Sequence, residues 1–264
     1  MAKRTHYIAK TPDHKGLIYY SEEEHAIWRD LYAQQIPSAE RYSASPYLAG
    51  LDMLSMSDKC IPQCNEITER LMPLTGWSIT PVPALIGFAR FFKMLSEKTF
   101  PAASFIRSRA DFDYIEEPDI FHEIFGHTPL LTNPGFAHFT SRIGEIGTRV
   151  KPADYSWLIR LYWFTIEFGL TMDAGKYKAL GSGLTSSPTE LIYSVESAVP
   201  ERRAFNVIDI LRTPYRIDIH QPVYYVIENI DDLFQVADRD LLADIRQAQS
   251  LGLFEPRYQC QLTG

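Results

Sequence analysis

The chain is poor in cysteine, in basic surplus and in long apolar runs, and each shortage closes off a class of function. Its three cysteines, Cys60, Cys64 and Cys260, are few and odd in number, which argues against a disulfide framework and for reduced, unpaired thiols. Cys60-x-x-x-Cys64 is half of a metal knuckle without a second half, so a structural role is expected. Acidic residues outnumber basic ones 33 to 26, for a net charge of −7, and the basic residues are scattered. Neither nucleic acid nor an anionic membrane is the expected partner. No apolar run reaches the roughly 18 residues of a membrane span, and Met1-Ala-Lys-Arg-Thr-His-Tyr7 leads into no signal-peptide core. The expected location is the cytoplasm. Repeats, low-complexity tracts and linkers are missing too, so the expectation is a single domain over 1–264, with about 1–20 as a flexible lead-in.

Hydrophobic residues make up 45% and aromatics 13%, enough for a packed core and for aromatic-lined pockets. Ser21 and Glu24 form a capping box that opens a helix, which Pro37 is expected to close. Helices are expected around 46–54 and 65–72, ended by Pro73 and Gly76, and from Pro83 to about Ser96 with Leu85, Phe88, Phe91, Phe92 and Leu95 on one stripe. Another is expected over 134–146, ended by Gly147. Gly181 to Ser187 reads as a loop, and Ser187-Pro188-Thr189-Glu190 as a helix start whose polar groups suit a small anion. Short extended pieces are expected at 77–82, 99–107, 215–219 and 222–227, with a terminal helix over 230–248. Helix dominates, giving a mainly α fold, α+β with a few short strands.

The stretch Glu117-Pro-Asp-Ile-Phe-His-Glu-Ile-Phe-Gly-His-Thr-Pro-Leu130 places His122 and His127 close together, and two neutral imidazoles can hold a metal. On an ideal α-helix five residues leave them roughly 140° apart. Gly126 in the left-handed conformation, followed by Pro129, is expected to end the helix and fold His127 back toward His122. The zinc-protease motif HExxH, with histidines four apart, is not matched. Helix-end histidines that merely bond local carbonyls are the competing reading.

A third donor bears on that choice. Within the apolar helix expected over 154–170, Glu167 is the only acidic residue after Asp154, and a buried carboxylate needs a compensating cation. Arg160, seven residues earlier, is one such cation; a metal is the other. Two His and a carboxylate form a facial set that leaves positions open on a non-haem iron, although a catalytic zinc accepts the same residue types.

Three segments in this order and spacing resemble the pterin-dependent aromatic amino acid hydroxylases: the His122/His127 stretch, Leu161-Tyr-Trp-Phe-Thr-Ile-Glu-Phe-Gly-Leu170, and Gly181-Ser-Gly-Leu-Thr-Ser-Ser187. The resemblance covers roughly Pro62 to Asn229, and within the family it is greatest to the short bacterial phenylalanine 4-hydroxylases. It implies a helix-rich, basket-like catalytic domain around Fe(II) held by His122, His127 and Glu167. It implies a tetrahydropterin stacked on Phe91 and bonded by the backbone of Ala84, Leu85 and Ile86, with Glu123 in reach and Tyr162 beside it. It implies a substrate carboxylate clamped by Arg107, aided by Asp119 and Ser186, with Trp163 lining the site. The implied reaction is hydroxylation of L-phenylalanine to L-tyrosine with O2, the pterin supplying two electrons. Ile217, where tyrosine-specific relatives carry Asp, favours phenylalanine. Pro101 and Ile115 depart from the polar residues of animal members. A monomer or modest homodimer is expected, because no long heptad helix follows the catalytic part. A tyrosine or tryptophan hydroxylase of the same family is the nearer alternative and a zinc hydrolase the more distant one.

Overall fold

The computed structural model describes residues 7–113 and 115–258; Cys260 and the first six residues of the expected lead-in lie outside them. The end of that lead-in is packed, not loose. Ile18 and Tyr20 are buried, and Ile18 exchanges backbone bonds with the Gln63 side chain at 2.8 and 3.0 Å.

Helix α1 (Glu22–Tyr42) opens with the expected reciprocal cap between Ser21 and Glu24. Pro37 lies inside it and does not end it. Burial of Trp28, Leu31, Gln35 and Ala39 along one face holds the helix through the one backbone bond that proline cannot donate. Helices α2 (Ser45–Met53) and α3 (Cys64–Thr75) follow, and Gly76, with φ 76°, ends α3. Cys64 is buried and Cys60 exposed, both free of disulfides.

Strand β1 (Ser78–Val82) pairs in parallel with β2 (Thr99–Ala103). Parallel neighbours need a crossover, here helix α4 (Phe88–Ser96). It starts at Phe88 and not at Pro83 as expected, because β1 runs straight into an extended stretch whose Val82 carbonyl accepts Ser104 N–H. Of the expected stripe only Phe92 and Leu95 are buried; Leu85 is 70% exposed.

Helix α5 (Pro134–Arg149) is capped by Asn133, whose side chain accepts Phe136 N–H at 2.9 Å. Gly147 does not end it. A Cβ there would meet Phe92 Cγ at 2.1 Å, and one at Gly144 would meet Ser96 N at 2.2 Å, so these glycines let α4 and α5 approach closely.

Helix α6 (Tyr155–Tyr162) gives way to a π-helical turn, Trp163–Glu167. A four-stranded sheet follows, built from β3 (Leu170–Asp173), β4 (Lys176–Ala179), β5 (Glu201–Ala204) and β6 (Val223–Ile227) in the order β4-β3-β6-β5. Strands β3, β4 and β5 were not expected. The β3–β4 hairpin turns at Ala174 (φ 49°) and Gly175 (φ 74°), a two-residue connection with both centres left-handed. Residues 215–219 form no strand.

The expected loop 181–187 contains a helical turn, α7 (Ser182–Thr185). Helix α8 (Glu190–Glu196) starts after Ser187 as expected, the serine Oγ accepting Glu190 N–H at 3.3 Å. Helix α9 (Val207–Arg212) leads toward the last strand. The expected terminal helix is two, α10 (Asp232–Ala237) and α11 (Leu241–Leu251), because Asp240 caps a new start by accepting Ala243 N–H at 3.0 Å. The main core joins Trp28, Tyr47, Phe92, Phe121, Phe125 and Phe139. A smaller cluster of Phe168, Leu170, Leu191 and Tyr224 lies under the sheet. The result is a helix-rich fold with a few short strands.

Candidate metal centre and active site

His122–His127 is a π-helical turn that passes directly into a 3-10 turn, Thr128–Thr132. This corrects the expected αL break: Gly126 is not among the positive-φ residues. In an i→i+5 turn the sixth residue lies nearly above the first, so a spacing that diverges on an α-helix converges here. Gly126 serves closeness, since a Cβ would stand 3.0 Å from Ser182 O. Pro129 has no N–H to give the Phe125 carbonyl, and Tyr47 OH bonds that carbonyl at 2.7 Å.

The two imidazoles meet through their Nε2 atoms at 3.1 Å with perpendicular rings. A second π turn delivers Glu167 to the same point: Phe168 N–H bonds Trp163 O at 2.8 Å, the i→i+5 pattern again. Glu167 Oε1 lies 3.2 Å from His127 Nε2, and Oε2 lies 3.7 Å from His122 Nε2. Arg160 is not its partner. The Arg160 guanidinium bonds Ser156 O and lies over Trp157.

Glu123 also joins the group within metal-binding reach of both histidines, with Oε2 3.9 Å from His127 Nε2. Between the two carboxylates, Glu167 is the better third donor, being closer to His127 and within 4 Å of both rings. Electrostatics agree. Burial would raise Glu167, but the two histidines and the Ser182 hydroxyl outweigh it and hold the carboxyl at about 2. Burial, reinforced by the charges of Glu167 and Asp119, pushes Glu123 well up instead, favouring its protonated form. Burial lowers His122 to about 4, against the pull of Glu167, so its imidazole is neutral and able to ligate.

Serines fix these donors. Ser186 Oγ donates its one proton to Ser182 O at 2.7 Å and lies 2.9 Å from His122 Nδ1. The hydroxyl must therefore accept from Nδ1–H, which leaves the lone pair on His122 Nε2, facing His127 and Glu167. Ser186, expected at the substrate, thus supports a metal-ligand candidate. Ser182, not singled out in the sequence, bonds Glu167 Oε2 at 2.7 Å and lies 3.0 Å from His127 Nε2. Its signal was the flanking glycines: a Cβ at Gly181 would meet Glu167 O at 2.1 Å, and one at Gly183 would meet Phe168 Cζ at 2.7 Å. The donor chemistry fits a divalent metal with open positions.

Arg107 and Asp119 form a buried two-pronged pair, Nε–Oδ2 2.8 Å and Nη2–Oδ1 3.0 Å. Burial opposes the Asp119 charge, but the Arg107 guanidinium outweighs it and lowers the carboxyl's pKa. Arg107 Nη1 bonds Phe112 O at 3.3 Å, so the protons left on Nη1 and Nη2 form the guanidinium's free end.

On the other side, the Phe91 ring stands edge-on to Tyr162 at 5.3 Å, and Tyr162 lies 6.4 Å from His127. The loop bearing Ala84, Leu85 and Ile86 leaves β1 beside Ala103, whose backbone N–H faces Glu123. The backbone groups of 84–86 bond no other described residue and are open to a ligand. Trp163 stacks on Tyr215 at 4.3 Å and 17° and leans on Phe168 at 4.4 Å. Ile217 is 60% exposed and is not brought to the centre. Pro101 lies in β2 opposite Thr80.

Two histidines and a carboxylate converging inside a helix-rich fold are the donor set that a mononuclear metal with open coordination positions calls for. The sequence signature of the biopterin-dependent aromatic amino acid hydroxylases matches residues 3–250, and the chain belongs to that family. It is 46% identical over 257 residues to a phenylalanine-4-hydroxylase of Pseudomonas aeruginosa, covering 97% of each chain. The fold matches the apo structure of the cold-active phenylalanine hydroxylase from Colwellia psychrerythraea 34H with a TM-score of 0.93 at 45% identity, over 95% of this chain and 97% of that one. It also matches a Chromobacterium violaceum phenylalanine hydroxylase bearing oxidised Fe(III), with a TM-score of 0.88 at 35% identity over 96% of this chain and 92% of that one. The chain is thus a pterin-dependent aromatic amino acid monooxygenase, and the hydrolase alternative falls away.

Proposed function

We propose that this chain, as a single catalytic domain, converts L-phenylalanine to L-tyrosine with O2 and a tetrahydropterin at Fe(II) held by His122, His127 and Glu167. The observation that carries the metal assignment is the convergence of both Nε2 atoms on Glu167, with the Ser186 bond fixing the His122 lone pair. Iron and pterin, when bound, supply oxygen activation and the two electrons; the chain supplies placement. Arg107 offers its free end to the substrate carboxylate, and Asp119 holds the guanidinium rigid for that purpose.

Trp163 and Tyr215 form an aromatic wall for the substrate ring. Phe91 stacks on the pterin, the free backbone groups of 84–86 bond its edge, and Glu123 with Tyr162 closes the side nearest the metal. No helix among the described residues is long and apolar enough to cross a membrane, and the free thiols of Cys60 and Cys64 suit a reducing cytoplasm. A monomer or modest homodimer completes the reading.

The test is tyrosine formation from phenylalanine by metal-stripped protein, with Fe(II), tetrahydropterin and O2 restored together and then each omitted in turn. Product only with all three is the expected result. Absence of tyrosine from the complete mixture, with folded protein still binding iron, overturns phenylalanine as substrate.

A further inference from the structure

Gln221 lies outside every residue set considered so far, yet it is fully buried and uses its whole side chain. Its Nε2 donates to Arg216 O at 2.7 Å and to Ile219 O at 3.1 Å, and its Oε1 accepts Trp163 Nε1–H at 3.2 Å. Both amide protons and the carbonyl are therefore committed, which also settles which end of the amide is which. Its own backbone N–H is gripped at 2.7 Å by Glu190 Oε1, a buried carboxylate oxygen that also accepts Tyr224 OH at 2.8 Å. The side chain thus ties the irregular segment 215–219 to the π turn that carries Glu167, and the residue's backbone N–H ties both, through Glu190, to the start of α8. None of these bonds is needed to close a strand or helix.

We infer that Gln221, seated by Glu190, is a positioning residue for the substrate ring: it locks the Trp163 indole and the 215–219 segment into one wall. This rests on the reading of Trp163 and Tyr215 as that wall. The indole has two neighbouring rings, Tyr215 and Phe168, that set its plane, and only the Gln221 bond, among the polar contacts of the described residues, fixes its rotation within that plane. The same amide sets how far Tyr215 and Ile217 stand from the π turn, since Arg216 and Ile219 bracket Ile217. Ring selection would then be governed through Gln221, by way of the wall it holds. The metal donors are held separately by Ser182 and Ser186, so loss of the amide should leave them in place.

The test is Gln221→Met, which keeps length and removes the three side-chain polar bonds while leaving the backbone bond to Glu190, beside Trp163→Phe, which keeps the ring stack and removes the indole N–H, and the double variant. The expected result for Gln221→Met is a rise in the KM for phenylalanine of about tenfold with kcat changed less, as for loss of ground-state positioning. Tyrosine formed per pterin oxidised should fall, metal affinity should hold, and the double variant should lose little more than either single one. Amide hydrogen exchange over 215–219 should quicken in Gln221→Met, a readout independent of turnover. Unchanged KM, coupling and exchange overturn the inference, as does additive loss in the double variant. A uniform fall in metal affinity, kcat and thermal stability also overturns it, leaving a merely structural residue. If the unaltered protein makes no tyrosine, the functional reading has failed, and the exchange measurement alone still decides whether Gln221 holds the segment.

Discussion

The Asp119 carboxylate accepts the backbone N–H of His122 at 3.1 Å through the same Oδ1 that receives Arg107 Nη2. One buried acid therefore orients the guanidinium proposed to hold the substrate and anchors the start of the turn that carries His122 and His127. Both bonds are charge-assisted and shielded from water.

Removing that acid should disturb both ends. Asp119→Ala leaves the Arg107 cation buried without its partner, and breaking a buried pair from one side costs about 3–5 kcal/mol of stability. Urea unfolding should show that loss, and the KM for phenylalanine should rise more steeply than that for the pterin. Equal KM changes would count against the carboxylate clamp.

A second expectation concerns helix packing. Gly147→Ala sets a Cβ against Phe92, where 2.1 Å is available, so α4 must move or stability must fall by about 1–3 kcal/mol, as for other overpacked cores. Because α4 carries Phe91, the pterin KM should rise while metal affinity stays the same. A metal titration beside pterin kinetics separates the two, and unchanged pterin kinetics in a destabilised variant would remove Phe91 from the pterin site.

Which residues converge at the centre was legible in the sequence, but their local geometry was not. His122, His127 and Glu167 stood out because imidazole pairs and a lone buried carboxylate need a reason. The spacing of five was read as a helix broken at Gly126, whereas a π turn brings the rings together. What favours that turn is distant in sequence. Tyr47 satisfies the Phe125 carbonyl that Pro129 cannot serve, and α2 packs so tightly that a Cβ at Gly50 would meet Pro129 O at 2.1 Å. Pro37 and Gly147 misled in the same way, since each was weighed as a local breaker while tertiary contact decided its role. Gln221 was invisible because a glutamine gains meaning only from what it touches, and Ser182 was marked only by the glycines on either side of it.

Two buried groups at the centre oppose each other in acid: Glu123, whose carboxyl burial pushes well up, holds its proton more readily in the folded chain and so adds stability as pH falls, whereas stability is lost through His122. Its pKa is about 4 in the folded chain and about 6.5 when unfolded. Between these values the unfolded chain binds the extra proton, so stability from this group falls as pH drops from about 6.5 to about 4, by roughly 3 kcal/mol in total. The urea midpoint of metal-free protein should fall, relative to that of His122→Gln, as pH drops across that window. A slope unaffected by that substitution would mean that burial of this ring is not its source.

The serines give the sharpest separation between holding a metal and merely lying near one. Ser186→Ala leaves the His122 Nδ1–H without its acceptor at 2.9 Å, freeing the ring to rotate or to carry its proton on Nε2, the atom proposed to ligate. Ser182→Ala removes the 2.7 Å donor to Glu167 Oε2, so that carboxylate loses the bond that aims it. Neither hydroxyl is itself a proposed ligand. Loss of such supporting bonds typically weakens metal affinity by about 10–100-fold, whereas His122→Ala, His127→Ala or Glu167→Ala should abolish it. A titration with Co(II), followed by its visible absorption, reads affinity without turnover. If both serine variants bind the ion as tightly as the unaltered protein, the tautomer assignment fails; if Glu123→Gln weakens binding more than Glu167→Gln, the third ligand is Glu123.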